Sequence, residues 1–148
     1  MKNGRILVAV DESEIASTAV VAAADLAARL RGELALVTVV DPRDAAAVDG
    51  GPPADEMLRL LRDEAERTLK AAANDAAACP PTHRFLREGH PGPEVCASAR
   101  EWGADMIVIG SHGRGGLTRL LMGSTAEAVM RHAPCPVLVI PASSCAAH

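Results

Sequence analysis

Apolar residues fall along this chain in two rhythms. Four short runs, Gly4 to Val10 (GRILVAV), Glu33 to Val40 (ELALVTVV), Met106 to Ile109 (MIVI) and Val137 to Ile140 (VLVI), are apolar with little interruption. Such runs predict strands buried on both faces, as in a parallel sheet. Between them the spacing changes to that of helices. Ile15, Ala19, Ala22, Leu26 and Leu30 predict a helix from Glu12 to Arg31, stopped by Gly32. Met57, Leu58, Leu61, Ala65, Leu69 and Ala72 predict the longest helix, Ala54 to Ala78, and its charged opposite side, Arg59 through Arg67, reads as solvated surface. Pro80 and Pro81 end that helix. Thr82 to Arg87 predicts a third, less apolar strand suited to a sheet edge. After a turn at Gly89 to Gly92, Pro93 sits in the first turn of a helix that turns Val95, Ala99 and Trp102 inward and stops at Gly103. A last helix, Ser124 to His132, precedes the final strand, which Pro136 and Pro141 bracket.

Strands and helices therefore alternate. The expected fold is α/β: a single-domain, open five-stranded parallel sheet with helices on both faces and right-handed crossovers. The domain spans 1–142, and 143–148 form a short C-terminal tail. Ligands of such sheets bind beyond the carboxyl ends of strands, where strand order reverses. Asp11 and Gly110 end the first and fourth strands. The loop from Asp41 to Pro53, rich in Asp, Gly and Pro, follows a strand's carboxyl end and is placed to cover a ligand.

The stretch Met106 to Ser124, MIVIGSHGRGGLTRLLMGS, carries the candidate chemistry. It runs from a strand through a glycine-rich loop to a helix start. Ser124 lies three residues before Glu127, the spacing of a capping box. Glycines let backbone N–H groups close around an anion, and the first N–H groups of a helix point at it. Neither G-x-x-x-x-G-K-[ST] nor G-x-G-x-x-G is present; what stands is G-x2-G-x9-G-S, made by Gly110, Gly113, Gly123 and Ser124. His112, Arg114 and Arg119 either contact phosphates or belong to a solvated loop. Asp11 has two compatible readings, a capping carboxylate paired with Glu14 or a ligand group at a strand end. On position alone Val39 is a core valine. Ser111-His112 does not read as a nucleophile and base, because adjacent residues rarely pair productively and no G-x-S-x-G surrounds the serine. No general base for hydrolysis and no arginine finger can be assigned.

Composition narrows the field. Net charge is −4, and Phe85 and Trp102 are the only aromatics apart from histidine. That argues against a nucleic-acid surface or base-stacking platform. No run is long enough to span a membrane, and only five apolar residues separate Arg5 from Asp11, so no leader and a cytoplasmic location are expected. Cys79, Cys96, Cys135 and Cys145 lack C-x-x-C spacing and read as reduced thiols. The five histidines show no metal-ligand spacing.

The glycine pattern, together with ILVAVDES (Ile6 to Ser13), TVVD (Thr38 to Asp41), GSHGRGG, GST and PCPVLVI (Pro134 to Ile140), resembles the universal stress proteins, specifically their ATP-binding branch. The resemblance covers essentially the whole chain. It implies strand order 3-2-1-4-5 in a Rossmann-like fold of the adenine nucleotide alpha hydrolase type. It implies an ATP ligand, with Mg²⁺ held mainly by the phosphates. Asp11 would contact the ribose or adenine side and Val39 would lie against the adenine ring. Gly110, His112, Gly113, Arg114, Gly123, Ser124 and Thr125 would serve the phosphates. A homodimer through Val137 to Ile140 is implied, and the function would be that of a cytosolic nucleotide-dependent sensor or regulator in stress response. Two alternatives stand beside it: a dimeric interaction scaffold that does not use ATP, as in the branch lacking the glycine pattern, and a slow ATPase.

Overall fold

The computed structural model describes residues 3–46, 49–112 and 122–142 of the chain. Five strands and five helices follow one another: β1 (Arg5–Ala9), α1 (Glu14–Arg29), β2 (Glu33–Val40), α2 (Arg43–Ala46), α3 (Ala54–Asp75), β3 (His83–Glu88), α4 (Pro91–Trp102), β4 (Met106–Gly110), α5 (Ser124–His132) and β5 (Val137–Ile140). The sheet is parallel throughout, in the order β3-β2-β1-β4-β5. Strand order reverses between β1 and β4, and the carboxyl ends of those strands open there.

Alternation along the apolar strands builds two cores. Ile6, Val8, Leu34, Leu36 and Val108 face Ala19, Val20, Ala23 and Ala27 of α1 and Leu69 and Ala72 of α3. Leu7, Ala35, Val37, Ile107 and Ile109 face Val95, Cys96, Ala99 and Trp102 of α4 and Ala126 and Val129 of α5. Alanine is the recurrent helix partner, as it must be in a chain with almost no aromatics; small side chains let α1 lie close on the sheet. Each fully buried Leu or Ile contributes about 1.5–3 kcal/mol.

Helix ends follow local chemistry in part. Gly103 closes α4 in the left-handed region (φ 75°), its N–H on Ala99 O at 3.0 Å, as expected of a glycine stop. The two capping boxes expected from spacing do not form. The residue preceding α1 is Ser13, not Asp11, and it makes no side-chain cap bond. Ser124 is already helical, with Gly123 as the uncapped residue before it. Glu127 is bonded instead to Arg131, one turn on, at 2.8 Å. The stretch expected to be loop after β2 contains the short helix α2.

The two edges of the sheet differ. β3 carries His83, Arg84, Arg87 and Glu88; Arg87 pairs with Glu101, and Glu88 with Arg62 at 2.6 Å. β5 is wholly apolar and partly open, with Leu138 38% exposed. Trp102 lies at the amino end of the sheet. Its carbonyl accepts from Arg5 Nη1 at 2.8 Å and the guanidinium stacks 5.5 Å from the ring centre. Among the described residues its buried indole N–H has no partner. Cys79, Cys96 and Cys135 are free thiols, and burial pushes those of Cys96 and Cys135 up in pKa. No helix among the described residues is long and apolar enough to cross a membrane.

Candidate functional site

The carboxyl ends of β1, β2 and β4 and the amino ends of α4 and α5 surround a cleft of about 440 Å³. Asp11, Val39, Gly110, His112, Gly123, Ser124 and Thr125 all line it. Gly113 and Arg114 lie outside the described residues. Seven of the nine expected site residues, spread over more than a hundred positions of sequence, thus share one wall-to-wall space.

Each wall has its own chemistry. At one end, α5 begins without a side-chain cap. Its first intrahelical donor among the described residues is Glu127 N–H, on Gly123 O at 3.0 Å. The N–H groups of Ser124, Thr125 and Ala126 are therefore the orphan donors of a helix start, and they carry its positive dipole end. A phosphate oxygen is the natural partner of such a group. Gly110 has a packing reason of its own: a Cβ there would meet Ile15 Cγ2 at 3.0 Å.

In the middle stands Asp11. Its Oδ1 accepts Ser13 N–H at 2.9 Å and also the Ser13 hydroxyl. This is a turn closed over two residues, not a helix cap, and it holds the carboxylate at the lip of β1. Oδ2 is engaged by no described residue.

At the other end lies an apolar slot of Val37, Val39, Val95 and Ile109. The β1–β2 ladder ends at the pair Ala9 and Val37, with Val10 N–H on Val37 O at 2.9 Å. Backbone groups alternate in direction along a strand, so Val39 turns its N–H and C=O to the side that β1 has vacated. One wall of the slot thus presents an adjacent donor and acceptor.

Two residues of the loop expected to cover a ligand, with His90, which the sequence reading missed, close the mouth. Asp41 follows β2 and binds Arg43 through both carboxylate oxygens, Nη2 to Oδ2 at 2.6 Å and Nε to Oδ1 at 3.1 Å. Hydrogen bonding from Arg43 holds the Asp41 carboxyl below its ordinary pKa, outweighing a smaller opposing effect of burial. Arg43 Nη2 lies 2.7 Å from His90 Nδ1. A guanidinium can only donate, so Nδ1 is the acceptor in this contact. The contact bridges α2 to the start of α4 across the mouth. No local motif signals it, because Arg43 and His90 lie 47 positions apart.

Ser111 and His112 are in contact after all, Oγ to Nδ1 at 3.0 Å. The same hydroxyl accepts Ala142 N–H at 3.1 Å, so it is committed to holding the chain after β5. Among the described residues no group of three or more His, Cys, Asp or Glu is arranged to hold a metal ion.

This fold matches known proteins. The model of the universal stress protein family matches residues 2–141. The chain belongs to the universal stress protein family. A universal stress protein of Methanocaldococcus jannaschii is 31% identical over 92% of this chain and 81% of its own length. Among solved structures, the universal stress protein UspA of Lactobacillus plantarum is 31% identical with a TM-score of 0.76, over 92% of this chain and 96% of that one. The universal stress protein of Archaeoglobus fulgidus, solved in complex with dAMP, is 30% identical with a TM-score of 0.67, over 95% of this chain and 99% of that one. The sheet order of this universal stress protein is the one its resemblance implied.

Proposed function

We propose that this universal stress protein binds an adenine nucleotide, ATP foremost, along the cleft, and works as a nucleotide-dependent sensor. The observation that carries the reading is the pairing of an uncapped helix start with an apolar slot at opposite ends of one space. The dAMP complex of the Archaeoglobus relative supports it. The phosphates lie at the N-terminus of α5, with the hydroxyls of Ser124 and Thr125 beside them. Gly110, His112 and Gly123 line the same end; Gly113 and Arg114, which lie outside the described residues, complete the glycine pattern in sequence.

Asp11 is placed for the ribose. The base enters the slot against Val39, whose N–H and C=O match the N1 acceptor and N6 donor of adenine. Guanine offers the reverse order there and would leave both backbone groups unpaired. Mg²⁺, when present, is held mainly by the phosphates. Ligand bound at a hundred times its Kd stabilises the liganded arrangement by about 2.7 kcal/mol. That is enough to shift a population between two arrangements of the mouth. The exposed apolar edge at Val137 to Ile140 supports a homodimer.

The test is denaturation of freshly purified protein with mass spectrometry of released small molecules, paired with calorimetric titration of ATP–Mg²⁺ into stripped protein. About one adenine nucleotide per chain, recovered or titrated, is the expected result. No nucleotide and no heat would make the cleft structural and leave a dimeric interaction scaffold as the account. Phosphate release above the background of a Gly123 variant would add slow hydrolysis.

A further inference from the structure

Val39 and Val95, which line the apolar slot, belong to β2 and α4. The bridge at the mouth springs from the same two walls. Asp41 follows the last residue of β2, and Arg43 opens α2 two residues on. His90 is the residue that precedes α4. All three line the cleft.

The two links of the bridge are unequal. Arg43 is bound to Asp41 by its backbone N–H at 3.0 Å and by its guanidinium, Nε to Oδ1 at 3.1 Å and Nη2 to Oδ2 at 2.6 Å. The Asp41 side chain is only 11% exposed, so α2 carries the guanidinium on a seated carboxylate. The link across the mouth is one contact, Arg43 Nη2 to His90 Nδ1 at 2.7 Å, between side chains 71% and 62% exposed. His90 Nδ1 also lies 4.0 Å from Asp41 Oδ2, too far for a hydrogen bond. Parting the two walls at the mouth therefore breaks the Arg43–His90 contact and leaves every Asp41–Arg43 bond in place.

We propose that the Arg43–His90 contact is the gate of the base slot: it breaks to let the nucleotide in or out, re-forms behind the base, and sets the rate of exchange. The inference rests on the nucleotide-binding reading. The contact joins wall to wall and does not touch the ligand, so the gate is closed to the same extent over an empty slot and a filled one. Its effect cancels in Kd and remains in both rate constants. An exposed polar contact favours the closed form over the open one by about threefold. About a quarter of the molecules are then open at any moment, and loss of the contact raises entry and exit alike by about fourfold.

The test uses the full chain and ATP–Mg²⁺, with wild type, His90→Ala, Arg43→Gln and the double variant. Calorimetry gives Kd, exchange of the adenine H2 and H8 resonances in ¹H NMR gives koff, and their ratio gives kon. Salt is held at about 0.3 M, where the charge lost in Arg43→Gln is screened from the approaching anion. Each single variant should raise kon and koff about fourfold, with Kd unchanged within about twofold, and the double variant should be no faster than either. An unchanged kon in His90→Ala overturns the gate, as does a rise in one single variant but not the other, because one contact cannot be lost from one side only. A weaker Kd arising from koff alone overturns it too, since the side chain would then be holding the base itself. Rates that multiply in the double variant would likewise mean two independent effects and no shared gate. Absence of ATP binding in wild type overturns the nucleotide reading and the gate with it, whereas binding without the change in kon overturns the gate alone.

Discussion

Gly92, in the first turn of α4, lets the N-terminal halves of α4 and α5 meet beneath the cleft. A Cβ at Gly92 would stand 2.6 Å from Ala128 Cβ, but 3.8 Å from Ala128 Cα and 3.9 Å from Thr125 O. The clash is thus with one methyl group alone. Gly92→Ala must push the helices apart, at an overpacking cost of about 1–3 kcal/mol, offset by at most about 1 kcal/mol of helix propensity. Ala128→Gly loses about 1 kcal/mol of propensity and leaves a small gap. Exchanging the two residues removes the clash, because the new methyl occupies the space of the old one. The pair should therefore sit within about 1 kcal/mol of wild type, with a coupling energy near 2 kcal/mol. Urea denaturation at fixed protein concentration, with the m-value checked for constancy, measures the cycle. Nucleotide affinity should fall in Gly92→Ala, because Ser124 and Thr125 move with α5, and recover in the exchange. Additivity of the two single changes within about 0.5 kcal/mol would refute the contact as the determinant of helix spacing.

Three further outcomes are expected. Gly123 has φ −63° and ψ 152°, values open to valine, so Gly123→Val should fold normally yet bind ATP at least about tenfold more weakly by crowding the anion cradle; unchanged affinity would sink that assignment. The lowered pKa of Asp41 means its bond to Arg43 adds stability above the unfolded value near pH 4, and that stability is lost as pH falls through the folded value. Amide exchange in α2 should quicken on that acid limb in wild type but not in Arg43→Gln, and superimposable limbs would refute the link. Leu138→Lys should shift the chain toward monomer in sedimentation equilibrium, since a lysine on an open edge opposes pairing; an undiminished dimer would place the interface elsewhere.

Much of the fold is legible because the strands are apolar on both faces. Runs such as Leu34 to Val37, alternating with helical patterns, suit the centre of a parallel sheet, and their residues alternate into the two cores. The cleft was legible to the extent that strand ends and a glycine-rich helix entry mark where such sheets bind ligands. Capping was misread at both Asp11 and Ser124. The i, i+3 spacing tests only two residues, and other partners won: Ser13 holds Asp11, and Arg131 holds Glu127. The mouth was legible only as a loop placed to cover a ligand; the contacts that close it were not. Asp41, Arg43 and His90 come together only once β2 and α4 are docked, and nothing in a one-dimensional pattern encodes a contact across 47 positions.

The contrast between the sheet's edges sets how far assembly can run. A strand dressed in arginine and histidine, as β3 is, repels a neighbour, while β5 offers a bare apolar margin. A particle with two adhesive margins polymerises; a particle with one is a chain terminator. A copy that docked along β5 would use up the one apolar sheet margin among the described residues, its own and its mate's, so growth by strand pairing would halt after a single event. Charge on the far strand would thus set a stoichiometric ceiling on such pairing that the apolar strand, whatever its affinity, could not impose by itself.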